Sequence, residues 1–593
     1  MAENDGRTPS QHIAVGAPPH IGTANNSAAR TQPVAGRAKA PKSAAAAAEP
    51  KDSLREVVET VVFVVVLVLL LKSFVAEAFV IPTGSMAETL YGYQKMVVCP
   101  KCKFEFPVNC SCEVDPQGEP SADVIGCTCP NCRYHVDFAR DFGVRSKWPS
   151  WNTGDRVLVG KYFYDLDIGS LRAPHRYEVV VFKYPEKPQK DYTPLNYIKR
   201  LIGLPGETIA INYGKLYCYD KLTYDDRDVP EVELWQRRCM HDNDKQAEDA
   251  FREGKFWILR KPPKHVIAER RIVYDNDHQA TDVKGNAEFL RWQARENGAA
   301  WVGDNKDAPT VFRHAASENG HIDWLRYQHL IPDENNRTSV DKLRKELITD
   351  FMGYNTFVKD RGLEHPLPSP NWVGDLMLEC NVDIQQPQGE LLFELSKGVD
   401  RFLARFDLAS GRCTLIRVDD DGEQELGSQE TILKKVGKHR VRFANVDDRL
   451  LVWVDSSLPF GDGVNYTAPR RRGPWAPNDL ERPASIGVKN GGVAISELKL
   501  WRDTYYTANV DGRSSADYGN EPVDFGDQKT WAPLRDLRPR TMYVQPNHFL
   551  CMGDNSPESS DGRSWGTVPR RLLLGRALLT YYPFLRSRAG RIE

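Results

Sequence analysis

An unbroken apolar run, Val61 to Leu71 (VVFVVVLVLLL), limits what this chain can fold into more than any other stretch. A helix that is apolar all round belongs either in a protein core or in a bilayer. A membrane span needs about 20 mostly apolar residues. Leu54 to Ala76 reaches that length, but its uninterrupted core is shorter, with Glu59 and Lys72 near the ends of that core. Such end charges reach the interface by snorkelling or by local bilayer thinning. The expectation is an uncleaved single-pass membrane anchor over 53–76. One rival is a buried soluble helix. Another is a cleaved secretory signal, because Ala76-Glu77-Ala78 has small-x-small form. The long tail in front and the charged Lys72 speak against cleavage. That tail, residues 1–52, is rich in Ala, Pro, Gly, Ser and Thr and almost devoid of large apolar side chains. Nothing there offsets the entropy of ordering, which predicts disorder. Its basic residues (Arg30, Arg37, Lys39, Lys42, Lys51) favour the cytoplasmic side.

The rest of the chain is soluble in character. With 593 residues it exceeds one ordinary core, so two to four domains are expected. A net charge of −2 gives no electrostatic reason to propose nucleic acid as a partner. Seven of the 12 cysteines fall between Cys99 and Cys132, so the thiols serve a local structure and not a chain-wide disulfide framework. Cys99-Pro-Lys-Cys102 and Cys129-Pro-Asn-Cys132 are paired knuckles that can present four thiolates to one tetrahedral zinc, as in a ribbon spanning about 99–138. Disulfides are the alternative if this segment lies in an oxidising compartment. Cys110, Cys112, Cys127 and His135 add candidate ligands.

Residues 151–220 read as strands: Arg156 to Gly160, Glu178 to Phe182, Tyr197 to Ile202, and a hairpin from Glu207 to Tyr219 turning at Tyr213-Gly214-Lys215. From 221 the chain is charged and poorly patterned, with a short helix expected over Arg344 to Phe351. Alternation becomes clear only at 370–503: Leu376 to Val382, Glu390 to Leu395, Lys438 to Phe443, Leu450 to Val454 and Val493 to Trp501. Short strands at this spacing predict a β-sandwich of jelly-roll type. The stretch KHRVRFANVDDRLLVWVD resembles laminin-G or concanavalin-like folds. A binding face for a glycan or a protein and a mere spacer are equally open, since a sandwich says little about function. The fold class expected overall is mainly β.

The chemistry sits in three short stretches. Thr83-Gly84-Ser85-Met86 follows the apolar run. Tyr197-Ile198-Lys199-Arg200-Leu201-Ile202-Gly203 leads to Leu204-Pro205-Gly206-Glu207. Gly553-Asp554-Asn555-Ser556-Pro557-Glu558-Ser559-Ser560-Asp561-Gly562-Arg563 lies near the C-terminus. In this order, with GDRVLVGKY at 154–162 between the first two, they resemble the signature boxes of bacterial type I signal peptidases (the Ser/Lys leader peptidases). No histidine stands in any of the boxes, so the serine needs another base. The resemblance implies Ser85 as nucleophile and Lys199 as general base, with Ser559 orienting the lysine. The Ser85 amide and the Thr83 hydroxyl would stabilise the oxyanion. Asp561 would pair with Arg563, Asp554 would hold its turn, and Phe79, Ile81, Met86 and Ile198 would line pockets for small substrate side chains. No cofactor is needed for catalysis; zinc at Cys99, Cys102, Cys129 and Cys132 would be structural.

It further implies an antiparallel β catalytic domain assembled from 77–98, 151–220 and 507–593. This would sit outside the cytoplasmic membrane, with the N-terminus cytoplasmic and exported preproteins as substrates. Two departures stand out. Glu88 occupies the position three residues after the nucleophile where the family usually has Pro, and the inserts at 99–138 and 221–506 are foreign to it. Because the larger insert joins hairpin-like ends, it is expected to bulge out and to be dispensable for cleavage. Two other readings are a soluble self-cleaving Ser/Lys repressor and a membrane-anchored sandwich adhesin on a decayed protease scaffold.

Overall fold

The computed structural model describes residues 53–70, 72, 76–114, 122–161, 164, 173–185, 195–224, 241–280, 287–295, 300–316, 318, 320–332, 342–360, 370–468, 472–509, 516–583 and 590–593. The expected disordered tail lies outside them. The chain divides into two units, Met1–Val65 and Val66–Glu593.

The anchor expected over 53–76 is, in the structure, a helix of 18 residues, Ser53–Leu70. At 1.5 Å per residue it is about 27 Å long. Glu56, Glu59 and Arg55 occupy its first turns, with Arg55 and Glu59 paired at 2.8 Å. No helix among the described residues is long and apolar enough to cross a membrane. Its valines and leucines are nevertheless exposed along its length, from Leu54 to Leu70.

The rest is mainly β. One sheet of eight strands runs in the order Ala76–Val80, Arg156–Gly160, Leu573–Tyr582, Val179–Lys183, Asn196–Gly203, His548–Met552 and Val568–Pro569, with Gly590–Arg591 added on Leu573–Tyr582. Every pairing in it is antiparallel. The hairpin Thr208–Asn212/Lys215–Tyr219 pairs with Arg540–Tyr543 in a second, four-stranded sheet. Its two turn residues, Tyr213 (φ 52°) and Gly214 (φ 73°), are both left-handed. That is the turn whose twist matches a two-residue hairpin. Strands from residues 76–80 and from 573–582 thus share a sheet although most of the chain lies between them.

Two further sheets, of eight and seven strands, stack around the main hydrophobic core. Leu376–Gln386 lies between Gly437–Asn445 and Gly492–Arg502 in one; Glu390–Lys397 lies between Asp400–Asp407 and Ala484–Lys489 in the other. Period-two alternation places Leu376, Leu378, Cys380, Val382 and Ile384 in the shared core with Leu391, Phe393 and Leu395. Met377 and Leu392 belong to clusters on the outer faces.

The two-sheet body begins well before 370. Arg271–Asp275 and Phe312–His314 pair with Gly492–Arg502, and Asp323–Tyr327 pairs with Ala484–Lys489. These strands are three to five residues long and carry charge, which hides their alternation. The helix expected over Arg344 to Phe351 is absent. Leu343–Lys345 is a strand paired with Leu330–Pro332. Beyond it, Leu347 donates to Phe525 and Val373 donates to Ile348, so the backbone is bonded sideways to neighbouring segments.

Candidate active site

Gly84, Ser85 and Met86 form a single 3₁₀ turn after the edge strand Ala76–Val80. Several contacts fix its approach. Ile81 donates to the Asp155 carbonyl at 2.9 Å, and the Asp155 carboxylate accepts from the Tyr91 amide at 2.8 Å. Gly154 is obligatory there, because a Cβ would lie 1.8 Å from the Ile81 carbonyl oxygen. Met86, fully buried, anchors the turn in an apolar cluster with Ile81, Leu90, Val157, Val159, Val179 and Val181. Phe79 and Ile198 pack on the same cluster and stay half-buried. Of the four residues expected to line pockets, these two are therefore partly accessible, while Ile81 and Met86 are buried in the cluster. Thr83 is extended and exposed, and its side chain does not cap the turn.

Lys199 comes from Asn196–Gly203, between Val179–Lys183 and His548–Met552. It is 3% exposed. Its Nζ lies 2.6 Å from Ser85 Oγ and donates to the Ile198 carbonyl at 3.1 Å. Burial is the main influence on its charge and lowers its pKa from 10.5 to about 8, with Asp561 and Asp554 opposing from a distance. Here an amine meets a hydroxyl with no carboxylate bonded to it. At mildly alkaline pH that amine is neutral and can take the hydroxyl proton.

The next residue, Arg200, points the other way and is equally buried. It grips Asp554 with two hydrogen bonds, 2.8 and 2.7 Å, and lies 3.4 Å from Glu269. Thr89 donates to Asp554 at 2.5 Å. Asp554 therefore ties its turn to the sheet and to the segment after Ser85.

The 553–563 stretch closes over the serine. The Asn555 amide donates to the Ser85 carbonyl at 3.1 Å, and its side chain donates to the Gly84 carbonyl at 3.0 Å. Asp561 accepts from the Gly553 amide at 2.9 Å and forms a two-pronged pair with Arg563, at 2.9 and 2.8 Å. Burial opposes the Asp561 charge, but the Arg563 guanidinium and these hydrogen bonds outweigh it and lower its pKa. Arg563 also reaches Ser556 and Thr507. The expected contact of Ser559 with Lys199 is not made. Ser559 Oγ is buried without a hydrogen-bond partner, packed against Gly553, where a Cβ would come within 2.2 Å of it. Lys199 Nζ is turned to Ser85 and Ile198 instead.

Four residues of the inserted segment reach the site, and the motifs did not point to them: Glu269 on Arg200, Arg271 donating to the Ala87 carbonyl at 3.3 Å, and Tyr354 and Asn355 beside the serine turn. The insert therefore contacts the serine turn and its supporting residues, where it was expected only to bulge out from the sheet. No local pattern marks these residues, because each acts on a residue at least 69 positions away in the sequence.

The cysteine knuckles form a second candidate site. Their backbones repeat each other. Lys103 donates to the Cys99 carbonyl and Arg133 to the Cys129 carbonyl, both at 3.0 Å, and Lys103 and Arg133 both have φ of 63°. Sγ atoms of Cys99 and Cys132 are 3.6 Å apart, as are those of Cys102 and Cys129, and all four lie within 4.8 Å of one another. A tetrahedron with Zn–S of about 2.3 Å has edges of about 3.8 Å, so the four buried thiols fit zinc. The disulfide alternative is not formed: a bond needs about 2.05 Å, and these cysteines are free. His135, Cys110, Cys112 and Cys127 are not members of the cluster. Asp375, Asp447 and Asp503 also converge, but Lys261 and Lys397 already sit among them at 2.6 Å and supply the positive charge.

The family model of the signal peptidases, peptidase S26, matches residues 136–285 and 484–582. These stretches include Lys199 and the 553–563 box but not Ser85. The similarity is to signal peptidases. Signal peptidase I of Pseudomonas aeruginosa is 38% identical over 82 residues, covering 12% of this chain and 27% of that protein. A probable signal peptidase I-2 of Synechocystis is 32% identical over 90 residues, covering 15% and 39%. Signal peptidase I V of Bacillus subtilis is 37% identical over 73 residues, covering 12% and 36%. The chain thus spans between about a quarter and two fifths of the length of these relatives. Among solved structures, a carbohydrate binding module from Bacillus subtilis aligns with a TM-score of 0.22 and 8% identity, over 36% of this chain and 95% of that one.

Proposed function

We propose that this chain is a membrane-anchored serine endopeptidase that removes signal peptides from exported preproteins, with Ser85 as nucleophile and Lys199 as general base. The observation that carries the reading is the 2.6 Å approach of Lys199 Nζ to Ser85 Oγ. The similarity to signal peptidases supports the substrate class. Neutral Lys199 takes the Ser85 proton as Oγ attacks the carbonyl carbon of the scissile peptide. The oxyanion forms against the Ser85 N–H and the Thr83 hydroxyl. The lysine ammonium then protonates the leaving amine, and the acyl-serine ester remains. Water, deprotonated by the same lysine, attacks the ester and releases the acid.

In this reading the catalytic domain is assembled from 77–98, 151–220 and 507–593. The exposed apolar side chains of Ser53–Leu70, continued by the sequence to Ala76, anchor it, with the N-terminus cytoplasmic and the site on the far side. Cys99, Cys102, Cys129 and Cys132 hold one zinc whose role is structural.

The test is cleavage of a preprotein carrying an Ala-x-Ala site by the purified full-length protein. Ser85→Ala is expected to be inactive, and the parent rate is expected to rise with pH through an inflection near 8. An active Ser85→Ala, or a rate following a group that titrates near 6.5, overturns the dyad. An inactive parent returns the choice to the adhesin reading. Metal analysis of the same preparation is expected to find about one zinc per chain. The four cysteines in disulfides with no metal would refute that part.

A further inference from the structure

We propose that Asn355, supplied by the inserted segment, is a positioning residue for the oxyanion donor at Ser85, acting through Asn555. The inference rests on the reading of Ser85 as the nucleophile.

Gly353, Tyr354 and Asn355 form a buried 3₁₀ turn. Asn355 is 1% exposed and Asn555 fully buried. Their side-chain amides pair reciprocally: Asn355 Nδ2 donates to Asn555 Oδ1 at 2.7 Å, and Asn555 Nδ2 donates to Asn355 Oδ1 at 2.8 Å. The second Nδ2 hydrogen of Asn555 goes to the Gly84 carbonyl at 3.0 Å.

A primary amide presents oxygen on one side and nitrogen on the other, so the reciprocal pair with Asn355 and the bond to the Gly84 carbonyl together settle which way Asn555 faces, and turning Asn555 over would require Asn355 to turn with it. Turned over, Asn555 would set its oxygen against the Gly84 carbonyl, and the two acceptors would repel. The Gly84 carbonyl belongs to the peptide plane that carries the Ser85 N–H. That plane is rigid, so holding its C=O aims its N–H. Stabilising an oxyanion demands such prior aim, because the donor is worth most when nothing has to reorganise during the reaction.

Tyr354 closes the other side. Its ring lies so near Gly84 that a Cβ there would be 2.4 Å from Cε1, and its ring centre is 5.2 Å from that of Tyr91. The turn itself is seated on the second cysteine knuckle. Gly353 packs on Pro130, whose Cδ a Cβ would meet at 2.8 Å, and Thr356 Oγ1 accepts from the Thr128 amide at 2.8 Å. The insert thus supplies a fixed support against which the serine turn is set.

The experiment compares full-length Asn355→Ala and Asn355→Asp with the parent in preprotein cleavage, at a temperature where each is folded by circular dichroism. Asn355→Ala is expected to lower kcat about ten- to a hundredfold, to change KM less than about threefold, and to keep the inflection near pH 8. The isosteric Asn355→Asp sets an oxygen against Asn555 Oδ1 and is expected to lose more than the alanine variant. Should Asn355→Ala fail to fold, Asn355→Asp carries the test alone. A kcat within twofold of the parent, or a loss confined to KM, overturns the proposal. Ser85→Ala run beside them separates the failures. If it is active, the reading of the nucleophile falls. If it is inactive while both Asn355 variants cleave normally, only the role of Asn355 falls.

Discussion

Lys199 and Lys261 are buried to the same extent, each 3% exposed, yet their surroundings push them in opposite directions. Lys261 follows the strand Trp257–Ile258, where the segment meets two turns of the two-sheet body. Its Nζ lies 2.6 Å from Asp503 and 3.3 Å from Asp447. Burial opposes its charge, but the two carboxylates outweigh that and raise its pKa well above the usual value. Lys199 meets a hydroxyl and a carbonyl instead, and burial prevails. Burial alone therefore does not make a lysine a base. What matters is whether a carboxylate is within contact distance. The same contrast separates Lys199 from Arg200 next to it, whose charge is fixed by Asp554 and Glu269.

The largest effect that sharpens this contrast is on turnover. Lys199→Arg keeps a charge but cannot lose it at working pH. It is expected to lower kcat on the order of 10³-fold or more, measured on the preprotein. Lys261→Ala is expected to leave the catalytic pH profile in place but to destabilise the fold by about 3–5 kcal/mol, read by denaturant unfolding, because it strands two buried carboxylates. A smaller loss would mean the joint is more hydrated than its geometry indicates.

Lys199→Met should do the reverse, abolishing cleavage while raising stability. In the parent, the unfolded chain holds this proton up to 10.5 and the folded chain only to about 8. Between those values the unfolded state binds more protons, so stability rises with pH; below about 8 the folded state carries a penalty of roughly 3 kcal/mol. Lys199→Met should therefore exceed the parent in stability at pH 7 by up to about that amount, and the gap should close as pH approaches 10.5. The smallest effect is expected at an exposed pair, Lys438 with Glu497, at 3.3 Å with side chains 56% and 46% exposed. Lys438→Ala should change stability by less than about 1 kcal/mol.

Much of the site is legible in the sequence because its chemistry lies in continuous boxes. Ser85, Lys199, Asp554, Asp561 and Arg563 each stand inside a short stretch whose spacing carries meaning. The strands at Leu376–Gln386 and Gly492–Arg502 are legible for a related reason: long period-two alternation survives without knowledge of any partner. What escapes is whatever depends on a distant partner. Asn355 and Asn555 are 200 positions apart, and an asparagine after a tyrosine predicts nothing by itself. Phe312–His314 is three residues long with an arginine in the middle, and only its pairing with Trp301–Gly303 and Gly492–Arg502 makes it a strand. Ser559 is the opposite case. Its place in a box suggested a bond to Lys199 that is not made, and its hydroxyl is packed against Gly553 without a hydrogen-bond partner.

The bond from Asn555 to the Gly84 carbonyl spans 471 positions, and it bears on when the protein becomes competent. A ribosome adding about 5–20 residues per second makes Ser85 on the order of half a minute or more before Asn555 exists. During that interval the nascent chain carries its hydroxyl on a turn without the Asn555 amide that holds it and, until position 355 is made, without the insert turn that backs it. If Ser85 is the nucleophile, competence is expected to arrive late, and a stall or truncation between positions 199 and 555 is expected to yield a chain that contains both Ser85 and Lys199 and does not cleave preprotein.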